Sequence, residues 1–148
     1  MRFLFLAALV VILSACSRME ETTLANLRQL ASQEFQWLKS EPSGKTGVIL
    51  EERRTMKFVQ FGGRSLSVDL PHQTLSREEM ERAERVMTRF GVKKEVYPLG
   101  EGSGRYTQTA FQKDLNGDEA EAFRIADAVF REIYLLPSDA KITAIRVE

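Results

Sequence analysis

The chain of 148 residues has one cysteine, one histidine and four prolines, and its 21 basic and 21 acidic side chains cancel. A single thiol cannot close an intramolecular disulfide or build a thiolate zinc site. Balanced charge removes the bulk electrostatic argument for nucleic acid, so no such partner is expected. No apolar run is long enough to span a bilayer. The longest, Phe3 to Leu13, has 11 residues; as a helix it would rise about 16 Å against a hydrocarbon core of about 30 Å. Internal repeats and low-complexity tracts are absent too, and most glycines and prolines fall between periodic segments, as in a compact domain.

What is present begins with that short apolar run. Met1 and Arg2 precede it as a positive start, and Ser14 and Ala15 supply small residues after it. These are the proportions of a secretory signal. Ordinary signal peptidase prefers a small residue three positions before the cut, but Leu13 is bulky there and Cys16 follows the cut. The string Leu13-Ser14-Ala15-Cys16 resembles the lipobox of bacterial lipoproteins. The resemblance implies that Cys16 carries diacylglycerol through a thioether, that residues 1–15 are removed, and that the new amine is acylated. Each buried methylene contributes about 0.8 kcal/mol, and two or three chains anchor stably. Removal of residues 1–15 leaves 133 residues, one domain of ordinary size, with a net charge of about −1. Residues 16–22 are expected to be the lipidated cysteine and a short tether, and 23–148 a single domain held close to headgroups. Ser17, where an aspartate retains enterobacterial lipoproteins at the inner membrane, points to the outer membrane facing the periplasm, with the inner membrane as the alternative.

Periodicity predicts an α+β domain. Leu24, Leu27, Leu30, Ala31, Phe35 and Leu38 lie at helical spacing, with Thr22 or Thr23 able to cap the start and Pro42 and Gly44 after the end. Strands follow around Val48–Leu50, Met56–Phe61 and Leu66–Leu70, the last two joined by a two-residue hairpin at Gly62-Gly63. Alternation in the third predicts Leu66, Val68 and Leu70 inside and Ser65, Ser67 and Asp69 in water. Ser76 and Glu79 form a capping box, with Leu75 and Met80 at the staple positions. Met80, Ala83, Met87 and Phe90 make the buried stripe of that helix, and Gly91 ends it. Strands over 92–97 and 105–112 flank a Pro98–Gly104 loop. A third helix from Asp118 buries Ala122, Ala126, Val129, Phe130 and Ile133, and a last strand runs from Lys141 to Val147. The predicted order is α-βββ-α-ββ-α-β, an antiparallel sheet packed with helices.

That order and the phrases Lys57–Phe61, Val68–Pro71, Phe90-Gly91-Val92 and Phe130–Tyr134 resemble the type III secretion chaperone-like group. Those domains bind other polypeptides and often dimerise, so the resemblance implies a protein partner and, in one form, a homodimer.

Candidate chemical motifs reduce to simpler explanations. Asp114-Leu115-Asn116-Gly117-Asp118 starts like a calcium loop, but Glu119 and Ile125 stand where glycine and a bidentate glutamate are needed. It reads as a turn and helix cap. Gly100-Glu101-Gly102-Ser103-Gly104 is followed by strand-like residues, where a phosphate loop needs a helix. It reads as a hairpin loop available for contact. His72 has no spaced ligand set and no nucleophile elbow around it. Arg82, Arg85 and Arg89 share a side of the second helix, with Glu78 and Glu81 four residues ahead of Arg82 and Arg85. They read as a solvated face, or as a contact for anionic headgroups. Trp37, near the end of the first helix, reads as core, with an interfacial anchor as the alternative. No catalytic, metal-ligating or cofactor-binding residue is assigned, and no cofactor is expected. The expected function is an anchored, non-catalytic envelope lipoprotein with a protein-interaction or assembly role. The alternative, a binder of a small amphiphile or lipid, requires a concave apolar pocket, and an enzyme would need convergent titratable groups around His72.

Overall fold

The computed structural model of the chain describes residues 20–100 and 106–148. Its elements are β1 Glu20–Thr23, α1 Leu27–Ser40, β2 Gly47–Glu52, β3 Phe58–Gly62, β4 Ser67–Pro71, α2 Arg77–Arg89, β5 Lys93–Leu99, β6 Tyr106–Lys113, α3 Glu119–Ala128 and β7 Lys141–Val147. The fold is α+β, with the expected order preceded by one further strand. Glu20–Thr23, read from sequence as the end of a tether and a helix cap, pairs antiparallel with β7, Thr23 opposite Lys141 and Glu20 opposite Ala144. The local signal is too short to see, because four residues become a strand only when a neighbour supplies the ladder. Thr23 still precedes a 3-10 turn at Leu24–Asn26, but its side chain caps no backbone N–H there.

Each helix forms for a local reason and is held by its apolar stripe. In α1, Leu27, Leu30, Ala31, Phe35 and Leu38 are buried together. The α2 capping box is complete: Glu79 N–H donates to Ser76 Oγ at 3.2 Å and Ser76 N–H to Glu79 Oε2 at 2.8 Å. Its other end closes on Gly91, whose φ of +67° only glycine adopts without strain, and Val92 N–H reaches back to Met87 O at 2.9 Å. Asp118 caps α3 by accepting from Glu121 N–H at 2.9 Å. The helix then widens into a π turn at Val129–Ile133 and stops at Leu135, which takes the left-handed φ of 56° usually left to glycine.

The seven strands form one antiparallel sheet in the order β1-β7-β2-β3-β4-β6-β5. The β2-β3-β4 meander is as expected, but its second turn is longer than Gly62-Gly63 predicts. Gly62 pairs with Ser67, so the loop is Gly63–Leu66, and positive φ falls on Gly63 and Leu66. Leu66 accepts that conformation because its side chain is fully buried in the core.

Pleat parity puts Val48, Leu50, Val59, Phe61, Val68, Leu70, Phe111, Ile142 and Ala144 on one face, and they join the helix stripes in a single core. Phe35 and Phe61 meet edge to face with ring centroids 4.8 Å apart. Each fully buried Leu or Phe of this layer contributes about 1.5–3 kcal/mol relative to exposure. Helices α1, α2 and α3 all contribute to this core, so among the described residues no helix covers the second face of the sheet.

Candidate functional site

The helix-free face follows from period-2 geometry. Along the sheet it presents Thr143, Ile145 and Val147 from β7, and Ile49 and Glu51 from β2. Phe58 and Gln60 come from β3, and Ser67 and Asp69 from β4. Gln108, Ala110 and Gln112 of β6 and Lys93, Glu95 and Tyr97 of β5 complete it. Its composition divides it. Towards β7 it carries an apolar group, Ile49, Phe58, Ile145 and Val147, each half-buried, beside Thr143 and Glu51 and, on β1, Glu21. Towards β5 it is polar.

The polar half centres on Asp69. The sequence alternation predicts this residue in water, yet it is only 5% exposed. Its Oδ2 accepts from Gln60 Nε2 at 3.0 Å on one neighbouring strand and from Gln112 Nε2 at 3.3 Å on the other. Its Oδ1 is buried and has no hydrogen-bond partner. Burial raises the Asp69 carboxyl above the ordinary aspartate value, and the two amide donors oppose that rise only in part. Tyr97 has a matching orphan: the residue reaches solvent, but its hydroxyl is buried and unpaired. Its phenol is pushed up to about 12, first by burial and then by the charge of Asp69. Chemically, the face offers an acceptor without a donor beside a hydroxyl without an acceptor.

The β2–β3 end of the sheet is tied by side chains. At the β2–β3 turn, the buried Glu52 carboxylate accepts from Arg54 N–H at 3.1 Å and Thr55 N–H at 2.7 Å, and from the Thr55 hydroxyl. Burial pulls its pKa upward, but these donors hold it below the usual glutamate value. This turn displays Met56, 65% exposed and at φ 58°. Nearby, Lys57 Nζ pairs with Glu79 Oε2 at 2.8 Å, and Tyr134 Oη donates to Phe58 O at 2.6 Å, which ties the end of α3 to β3.

The sequence-predicted candidates are scattered. Cys16 and residues 101–105 lie outside the described residues, so of the Gly100–Gly104 loop only Gly100 is described, at φ 79° after β5. Arg82 and Arg89 are joints between helices rather than a free basic face. Arg82 Nε donates to Ile133 O at 2.7 Å, and Arg89 pairs with Glu132 at 2.7 Å. Glu81 is paired with Arg77 at 3.6 Å, one turn back from the expected Arg85. Arg85 lines a shallow, solvent-open depression with Glu81, Glu84 and Thr88. A second depression, on α1, is lined by polar residues that include Asn26, Gln29 and Gln33. His72 sits in a 3-10 turn before α2. Among the described residues no group of three or more His, Cys, Asp or Glu side chains could hold a metal ion. Asp114 accepts from Asn116 N–H at 2.8 Å, so the Asp114–Asp118 string is a turn feeding the α3 cap. Trp37 is half-buried against the core, with the Arg146 guanidinium 4.4 Å above its ring.

Two features escaped the sequence reading. One is the pairing of buried Glu34 with the partly exposed Arg146, with Nε to Oε2 at 2.8 Å and Nη2 to Oε1 at 3.3 Å. The other is the Asp69 cluster. A signal for it exists, since aspartate is depleted inside strands and here stands mid-strand beside glutamine-bearing neighbours. Only the register shows that these glutamines converge on it. No protein-family model, no curated protein and no solved structure matches the chain.

Proposed function

We propose that the chain is a lipid-anchored envelope lipoprotein, attached through Cys16, that acts without catalysis by binding another envelope protein across the helix-free face of its sheet. The observation that carries this reading is the sheet face itself: among the described residues the helices lie on one side only, and Ile49, Phe58, Ile145 and Val147 are half-buried on the other. A sheet with one apolar half left open is a surface for a second layer, and in a two-layer domain that layer comes from a partner. The depressions on α1 and α2 are shallow and lined mostly by charged, amide and hydroxyl side chains, unlike the concave apolar pocket an amphiphile needs. The element order also suits the chaperone-like group, whose members bind polypeptides and often dimerise.

With lipid on Cys16, the strand at Glu20 leaves four residues of reach, at most about 14 Å. The domain would then work close to headgroups, at the outer membrane facing the periplasm. Intact-mass comparison of wild type with Cys16→Ser tests the anchor, and an unmodified wild-type mass sinks it. For the binding role, a photo-crosslinking residue is placed at Ile145 on the open face and, as control, at Arg85 on α2. A reproducible protein adduct, or a crosslinked homodimer, from Ile145 alone is expected in the native membrane. Equal adducts from both positions, or adducts with lipid only, would overturn the reading.

A further inference from the structure

The polar half of the open face holds an arrangement that stability alone does not explain. A buried carboxylate with an unsatisfied oxygen is costly, and replacing both charge and partners by apolar groups is often neutral or stabilising. Here the carboxylate of Asp69 is held in place by amide donors on both flanking strands, while Oδ1 is left open. The register describes the ground between Asp69 and Tyr97. Gln112 lies opposite Asp69, Gln108 lies opposite Tyr97, and the small Ala110 stands between the two glutamines on the same face. Two strands and four residues separate Asp69 from Tyr97, about 16 Å between Cα atoms by strand spacing. The Tyr97 hydroxyl is buried and lies within the influence of the Asp69 charge. Donor and acceptor are nevertheless not bonded to each other. Asp69 Oδ1 therefore lacks a donor, which a group rich in N–H would supply.

We propose that Asp69 is the recognition point for a cationic side chain, arginine or lysine, presented by the protein partner, and that Tyr97 is a movable cover over it. This rests on the binding role assigned to the open face and specifies the chemistry of the partner. The incoming nitrogen donates to Asp69 Oδ1, and the Tyr97 hydroxyl is released to solvent. Gln60 and Gln112 keep the carboxylate oriented through Oδ2. Of the charged groups on the same face of β5, Glu95 adds to the attraction and Lys93 opposes it; both are exposed, so their influence is screened. The apolar half, with Ile145 and Val147, supplies area, and Asp69 supplies discrimination, because a partner without the cation would bury the carboxylate unpaired.

The test uses the full-length chain in detergent micelles, labelled uniformly with nitrogen-15, and two small probes. N-acetyl-arginine methylamide carries the cation, and N-acetyl-citrulline methylamide is its neutral isostere. The Gln60 and Gln112 side-chain amides are expected to shift saturably with the arginine probe and about tenfold more weakly with citrulline, a difference of roughly 1.4 kcal/mol. Asp69→Asn is expected to abolish the difference between probes while the Trp37 indole signal stays native, which shows that the fold persists. Tyr97→Ala removes the cover and is expected to bind the arginine probe at least as tightly. Absence of a saturable shift in both wild type and Tyr97→Ala overturns the proposal, as does equal binding of the two probes or unchanged preference in Asp69→Asn. If that happens while the Ile145 crosslink persists, the binding face stands and only the cation recognition falls.

Discussion

Replacing Arg146 by methionine keeps the apolar stem of the side chain and removes its charge, and it tests what holds β7 in register. Lys141–Val147 has an ambiguous pattern. Ile142 and Ala144 face the helices, but Ile145 and Val147 on the other face are just as apolar. A shift of one residue would exchange the two sets. Lys141 and Thr143 on that second face oppose such a shift, and Arg146 adds a specific constraint, because its guanidinium must lie where it meets Glu34 on α1. Glu34 is 2% exposed, and both of its oxygens accept from Arg146. Arg146→Met therefore strands a buried carboxylate, a change that costs about 3–5 kcal/mol. Arg146 itself is partly exposed, with 23% of its side chain open to water, so the lower end of that range applies. The lost contact with the Trp37 ring adds about 0.5–1 kcal/mol. A loss of about 3 kcal/mol should lower Tm by about 10 °C in a domain of this size. Urea unfolding followed by Trp37 fluorescence measures it, and hydrogen exchange of the β7 amides reports whether register loosens. Glu34→Leu combined with Arg146→Met removes both charges and is expected to return to within about 1 kcal/mol of wild type. A single variant costing under about 1 kcal/mol, or a double variant no better than the single, would refute the reasoning.

Two further outcomes follow from other sites. The Asp69 carboxyl is raised by burial above the ordinary value of 3.8, so the folded state holds its proton more tightly than the unfolded chain does. Folding takes up a proton between those two values, and Asp69's contribution to stability falls as pH rises through that window. Asp69→Asn should flatten that part of the stability profile in urea titrations run across the acid range; superimposable slopes for the two proteins would count against the burial argument. Met56 and Leu66 share a left-handed φ, 58° and 56°, but Met56 is exposed and Leu66 is fully buried. Met56→Gly relieves about 1–2 kcal/mol of backbone strain against about 0.5–1 kcal/mol of added chain entropy, a net gain of about 0.5 kcal/mol. Leu66→Gly opens a cavity and should lose about 2–3 kcal/mol despite the same relief. Denaturation midpoints that move in the same direction for both would show that burial is not what separates the two sites.

The local sequence determined the helices and most strands, because their causes are local. The Ser76–Glu79 box, the Asp118 cap, the glycine at 91 and the stripes of leucine, alanine and phenylalanine act within a few residues of themselves. The address implied by Leu13–Cys16 is equally a matter of contiguous residues. Tertiary structure decided what depends on partners far along the chain. β1 exists because β7 offers it a ladder, and Arg82 and Arg89 became joints to α3 because that helix packs beside α2. Asp69 stays on the side that alternation assigns to it but is out of water, with Gln60 of β3 and Gln112 of β6 at its flanks. Alternation tells which side of a strand a residue takes; it cannot tell whether that side meets water, since this depends on which strands come to lie next to it. The open sheet face, with an apolar half and a carboxylate waiting for a donor, is therefore a product of topology.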